Sequence, residues 1–375
     1  MNKFYVVCNT YYPNTAFSNR VFSFLRGFSE LGVDVEVVFL TPDSEMSKVQ
    51  ETYPHITFKY MWENLPFSNR IFNKFADEFY GWKFAWSLKP GDVVFLTNFG
   101  NVFFKVVKRK GVKVVHEKTE HPDVYSFKGF NVERYKRGEV VKVDGMFVIS
   151  TALKDYFVSC GLPKEKIEIV NMTVDSNRFV GLTKQPSEKY IAYCGTASNN
   201  KDGVDELIKS FAIVNKTHPE VKLYIIGKTP DKNDASGNLK LIENLGVKDS
   251  IVFTGIVSAA DIPQILKNAA VLALDRPDSL QAQCGFPTKL GEYLLTENPV
   301  IVTKVGDIPL FLKDGETALL VEERNPKEFS SKIIWALEHP EEATEIGKAG
   351  AQVAMREFNY LNETKKIIDV INRLS

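Results

Sequence analysis

Short runs of β-branched and aromatic residues alternate along the whole chain with longer segments whose apolar positions recur every three to four residues. This alternation predicts an α/β protein, with parallel sheets wrapped by helices. Phe4 to Cys8 reads as a strand, Asn9 to Ser18 as a loop and Asn19 to Leu31 as an amphipathic helix closed by Gly32. Val35 to Leu40 is the next strand, and buried strands follow at Val93 to Thr97, Val112 to His116 and Met146 to Ser150. A second series opens with the strand Tyr190 to Gly195 and the helix Asp202 to Thr217. It continues with strands at Lys222 to Gly227, Ile251 to Thr254 and Val271 to Leu274, separated by helices at Lys240 to Leu245 and Asp261 to Asn268. The polar, proline-containing stretch Thr183 to Ser187 between the two series is the natural domain boundary. Two doubly wound domains are therefore expected, residues 1–183 and 184–357, whose strand ends and ligands face a common cleft.

The stretch Glu63 to Lys89 interrupts the pattern. It mixes Phe67, Phe72, Phe75, Phe79, Tyr80, Trp82, Phe84 and Trp86 with Arg70, Lys74 and Lys83. A membrane-surface or acceptor-binding helix is one reading. A core-packing helix pair is favoured over it, because Asp77 and Glu78 stand among the bases and aromatic side chains mostly pack.

Composition narrows the function. The 375 residues are 44% apolar and 25% charged, and 47 basic residues balance 47 acidic ones. That balance argues against wholesale nucleic-acid binding. Cys8, Cys160, Cys194 and Cys284 are scattered and form no Cys-x-x-Cys pair, so a reduced, intracellular protein without a cysteine-rich metal site is expected. The apolar run at Met1 to Cys8 is too short for a signal peptide, and no run is long enough to span a membrane. The expected location is cytoplasmic, with peripheral contact at the inner face of the membrane left open.

The densest concentration of chemistry runs from Asp275 to Leu294. It leaves a strand, crosses a loop and enters a helix around Pro287, a residue favoured in a first helical turn. Free backbone N–H groups at such a helix start form a seat for phosphate. Lys289 and Glu292 are three apart and share a helix face. A cation beside phosphates and a carboxylate accepting from a ribose diol suit a nucleotide diphosphate. The same spacing also suits a simple surface ion pair, and the spacing alone does not choose between them.

Phe286 to Leu294 reads Phe-Pro-Thr-Lys-Leu-Gly-Glu-Tyr-Leu, and Asn298 to Thr303 and Val305 to Pro309 follow it. Together they resemble the donor-binding signature of family 4 glycosyltransferases, retaining enzymes of the GT-B fold, in which two Rossmann-like domains face each other across a cleft. Val148 to Leu153, Gly161 and Ile169 to Asp175 with Phe179 resemble that family's interdomain passage. Tyr193 to Thr196, Lys201 to Leu207, Leu223 to Gly227, Phe253 to Gly255 and Asp314 to Val321 resemble later landmarks in the same order. The resemblance implies that Glu292 holds the ribose, that Lys201 and Lys289 face the phosphates, and that Gly195 and Thr196 border them. It further implies backbone donors from Gly285, Phe286, Pro287 and Thr288, and a base pocket at Gly255, Ile256 and Val257. On the acceptor side it points to the loop Tyr12 to Ser18 with Asn14 and Thr15, and to Glu120 and His121. By itself His121 is weak evidence, since a lone histidine is more often structural. The final helix, within 358–375, would return to the first domain.

The chain departs from the pattern in three places. The usual second glutamate, eight residues before Glu292, is Cys284, and the usual arginine after Gly195 is Thr196. The first loop lacks the family's paired glycines. Gln281, Gln283 or Asp278 could stand in for the missing glutamate. The resemblance implies a nucleotide-diphosphate sugar as donor and a glycan or lipid-linked acceptor, as in bacterial surface polysaccharide synthesis. No cofactor is expected, and no metal, because no Asp-x-Asp motif stands at a strand end. A dehydrogenase is excluded, since no Gly-x-Gly-x-x-Gly follows Cys8 or Cys194. Two alternatives stay open: a nucleotide-sugar epimerase, and a degenerate relative that binds a partner or glycan without turnover.

Overall fold

The computed structural model describes residues 3–8, 11, 15–40, 49, 51–62, 70–97, 101–124, 132–230, 234 and 236–374. The chain forms two compact units, Met1–Asn171 together with Tyr360–Ser375, and Met172–Asn359.

The first unit is built on seven parallel strands: β1 (Phe4–Cys8), β2 (Val35–Phe39), β3 (Ile56–Tyr60), β4 (Val93–Leu96), β5 (Lys113–Lys118), β6 (Gly145–Val148) and β7 (Ile167–Ile169). Their order is β3-β2-β1-β4-β5-β6-β7, so the connections reverse direction between β1 and β4 in the doubly wound manner. β4 and β6 are buried at every position, as strands covered on both faces must be. The helix Ala16–Glu30 is capped by Thr15, whose hydroxyl accepts from Ser18 N at 3.2 Å. Its Val21, Phe24, Leu25 and Phe28 join Val6, Val37, Phe95 and Phe147 in one core. The last helix, Tyr360–Leu374, completes that core with Ile367, Val370 and Ile371. Gly27 is what lets it approach, because a Cβ there would lie 2.2 Å from Thr364 Oγ1. Buried Arg20 pairs with Glu117 at 2.9 Å and donates to the carbonyls of Val170 (2.8 Å) and Asn171 (2.6 Å). Glu363 accepts from Asn171 N at 2.7 Å. The last residues before the second unit are thus fixed from both sides.

The second unit carries six parallel strands: β8 (Tyr190–Cys194), β9 (Lys222–Ile226), β10 (Ile251–Gly255), β11 (Val271–Leu274), β12 (Val300–Thr303) and β13 (Leu319–Val321). Their order is β10-β9-β8-β11-β12-β13, with the reversal between β8 and β11. In such sheets ligands bind outside the carboxyl ends of the strands at this reversal.

Three expectations change. The chain passes between units at Asn171 and Met172 rather than at 183–184. Met172 and Val174 pack into the space left by Gly291, and Val174 N donates to Phe358 O at 3.0 Å, which binds the start of this segment to helices of the second unit. The helix expected over Asp202 to Thr217 is two helices, Asn199–Asp202 and Val204–Thr217, joined by Gly203 in the left-handed conformation (φ +58). The favoured helix pair over Glu63 to Lys89 is, in its described part, one helix, Arg70–Ser87, most of whose aromatic side chains are exposed.

Candidate active site

The end of β8 is the focus of the second unit. Tyr193 is buried, and its hydroxyl donates to Asp202 Oδ2 at 2.8 Å. Lys289, reaching over from the helix Thr288–Leu295, places its ammonium 2.7 Å from the same carboxylate oxygen, 3.0 Å from the Tyr193 hydroxyl and over the Tyr193 ring. Burial pulls Lys289 below its ordinary pKa against the attraction of Asp202. Burial would raise Asp202, but the Lys289 ammonium and the Tyr193 hydroxyl hold it below the usual carboxylate range. The ammonium therefore sits as a fixed positive charge directly beneath Gly195. A Cβ at Gly195 would lie 2.4 Å from Lys289 Nζ, and φ there is +147, so only glycine leaves the cation its place.

Glu292 lies one turn further along the same helix. Its carboxylate is bound by Arg178 Nη1, and Arg178 Nη2 donates to Ala259 O at 2.7 Å. Burial raises the Glu292 pKa, and the guanidinium opposes that shift. Lys289 and Glu292 thus share a helix face without pairing with each other. Each has its own partner, and the charges of Lys289, Glu292 and Arg178 all reach Cys194 between them. Tyr293 completes the group, its hydroxyl accepting from Cys194 N at 2.6 Å.

The remaining residues of the proposed donor site occupy the rim. Thr196 is exposed, and its carbonyl oxygen lies 2.7 Å from the Tyr193 hydroxyl. Lys201 is exposed on the short helix Asn199–Asp202, whose cap Ser198 accepts from Lys201 N. Gly255 ends β10, and Ile256 beyond it is 85% exposed, an apolar surface open to a planar ring. Arg178 ties this loop, through Ala259, to Glu292. Pro287 is the cap of the Thr288–Leu295 helix rather than its first helical residue. Phe286 is buried against Phe311 and Phe358, so only its backbone is available to a ligand. Gln283 donates to Asp278. Cys284, in the place of the family's glutamate, is buried, and burial raises its thiol pKa.

Asp275, just past the end of β11, opens the stretch singled out in the sequence but has no assigned role there. It is 2% exposed and its pKa is pushed up to about 8 by burial, with Glu206 and Asp205 adding to the shift. Its carbonyl oxygen would lie 1.8 Å from a Cβ at Gly203. Arg178, Tyr193 and Asp202 were equally missed as site residues. Arg178 and Glu292 are 114 positions apart, and only the fold shows that they meet.

In the first unit, His121 is buried, its ring packs tilted against Tyr156 with centroids 4.1 Å apart, and it accepts from Asp123 N at 3.2 Å. Burial lowers its pKa, so the ring is neutral near pH 7, with its other nitrogen carrying the proton. Glu120 beside it is half-buried. Thr15 serves as a helix cap. Asn14 lies outside the described residues, as does part of the loop Tyr12 to Ser18.

The second unit thus gathers a lysine, a carboxylate and bare backbone at the reversal point of a doubly wound sheet, the place where such sheets bind ligands. Residues 176–353, within the second unit, match the family described as glycosyl transferases group 1. A D-inositol 3-phosphate glycosyltransferase from Segniliparus rotundus is 26% identical over 68% of this chain and 60% of its own length. A mannosylfructose-phosphate synthase from Agrobacterium fabrum is 21% identical over 63% of this chain and 53% of its own. The chain thus spans somewhat over half the length of these two curated relatives. The crystal structure of HepE from Anabaena, in complex with UDP and glucose, superposes with a TM-score of 0.75 at 15% identity, covering 100% of both chains. That likeness establishes the GT-B fold.

Proposed function

We propose that this protein is a retaining, metal-independent glycosyltransferase that moves a sugar from a nucleotide-diphosphate donor to a hydroxyl of a glycan or lipid-linked acceptor, in surface polysaccharide synthesis. The observation that carries the reading is the separation of Lys289 and Glu292 onto different partners around the end of β8. It leaves a fixed cation under Gly195 for phosphate and a carboxylate beside the Gly255–Val257 loop for ribose. HepE was solved with UDP and with UDP-glucose, which makes a UDP-sugar the first donor to try.

In this reading Glu292 accepts from the ribose hydroxyls and the base lies along Ile256. Lys201, Lys289 and the amides from Gly285 to Thr288 stabilise the diphosphate as the glycosidic C–O bond breaks. The acceptor hydroxyl attacks from the face the diphosphate leaves, and a phosphate oxygen takes its proton. His121, neutral and fixed by Asp123 and Tyr156, orients the acceptor through its remaining N–H.

Calorimetric titration with UDP, GDP, ADP and CMP tests the proposal. One nucleotide should bind, and Glu292→Ala should weaken it at least about tenfold, the effect of losing hydrogen bonds to a charged group. Binding of none, or binding untouched by Glu292→Ala, rejects the assignment. Cys284 favours a second reading, since a buried thiol supplies little to a sugar: a donor-binding chain without transfer. Nucleotide binding with no product from any UDP-sugar would select it.

A further inference from the structure

We infer that the outer face of the helix Arg70–Ser87 docks the first unit onto an anionic phospholipid surface. Phe72, Phe75, Phe79, Trp82 and Trp86 are spaced three, four, three and four residues apart, so they form one stripe along the helix. They are 61%, 69%, 63%, 40% and 67% exposed. A stripe of this kind on a core-packing helix would face inward, but here the inward face is filled by other residues. Gly81, Phe84 and Ala85 are buried, Tyr80 stacks on Trp62, and Glu78 binds Lys105 at 2.7 Å.

The charge pattern identifies the partner. Among the described residues, two exposed lysines, Lys74 and Lys83, flank the aromatic stripe of this helix. Of its two acids, Asp77 is half-buried, and Glu78, with its side chain 39% exposed, is neutralised by its ion pair with Lys105. Trp82 and Trp86 lie side by side, with Lys83 next to them, along a shallow apolar groove. Aromatic rings enriched with lysines at one level are the composition of a helix lying in the headgroup region, where rings enter the acyl boundary and ammonium groups stay with phosphates. Among the described residues no helix is long and apolar enough to cross a membrane, so the contact would be peripheral.

The test is co-sedimentation of the full chain with vesicles of phosphatidylglycerol and phosphatidylcholine in equal parts, at low and high salt. Sedimentation should weaken with salt, and tryptophan emission should shift to the blue as Trp82 and Trp86 leave water. Lys74→Gln with Lys83→Gln should lower partitioning about 25-fold, roughly fivefold per lysine. Phe75→Ser with Trp86→Ser should abolish it. Both double variants change exposed positions, and circular dichroism with a melting curve verifies their fold without reference to nucleotide. No sedimentation at low salt overturns the proposal, as does equal partitioning into pure phosphatidylcholine. Self-association lost on Phe79→Glu, without vesicle binding, would overturn it in favour of a second copy of the chain.

Discussion

Arg178 shows how one residue can set the behaviour of another far away in sequence. Its guanidinium binds Glu292 and the loop carbonyl of Ala259 at once, so it positions the carboxylate and keeps it ionised against the burial that pushes its pKa up. Under the proposed function, nucleotide affinity should fall as pH drops through the Glu292 pKa, because only the carboxylate accepts both ribose hydrogen bonds. That midpoint should lie above the ordinary carboxylate range. Arg178→Gln should move it further up, whereas Arg178→Lys should restore much of the original profile. A titration of UDP affinity against pH checks this, and an unmoved midpoint in Arg178→Gln would reduce the residue to a loop tether.

At the scale of elements, much of the second sheet was legible because its strands are continuous β-branched runs, and Val271 to Leu274 matches to the residue. The reading failed where periodicity carries no signal. β3 alternates half-buried and exposed positions at the sheet edge, β7 is three residues long, and neither was read as a strand. The break at Gly203 was invisible because Lys201 to Leu207 is compatible with helix. What leaves room only for glycine at the break is the carbonyl of Asp275, just past the end of β11. Gly203→Ala would set a methyl group 1.8 Å from that oxygen at φ +58. It should destabilise the second unit by about 2–4 kcal/mol, seen as a lower midpoint in urea. The site was legible as a motif, Phe286 to Glu292, but its partners Asp202, Tyr193 and Arg178 come from elements that only folding brings together. The aromatic helix was misjudged for a related reason: the sequence shows Asp77 and Glu78 among the bases but not which side of the helix they take.

For the molecule as a whole, the last helix belongs with the first sheet although it follows the second unit in sequence. A chain ending at Asn359 would uncover the positions that Ile367, Val370 and Ile371 fill. At roughly 2 kcal/mol for each large apolar side chain, the first unit should lose a large part of its stability. Calorimetric melting should show its transition fall or vanish, while nucleotide affinity stays with residues 172–359. If both properties fail together, the two units do not fold independently.

The chain leaves the first unit at Asn171 and rejoins it at Tyr360, and in between Val174 and Phe358 are hydrogen bonded side by side. In genetic terms the second unit is one uninterrupted insert whose two ends are neighbours. Recombination can replace such an insert with two crossovers, one at each of its adjoining ends, and keep both host segments. Under the proposed function, donor preference is then a cassette that can be changed without rewriting the half of the gene that meets the acceptor.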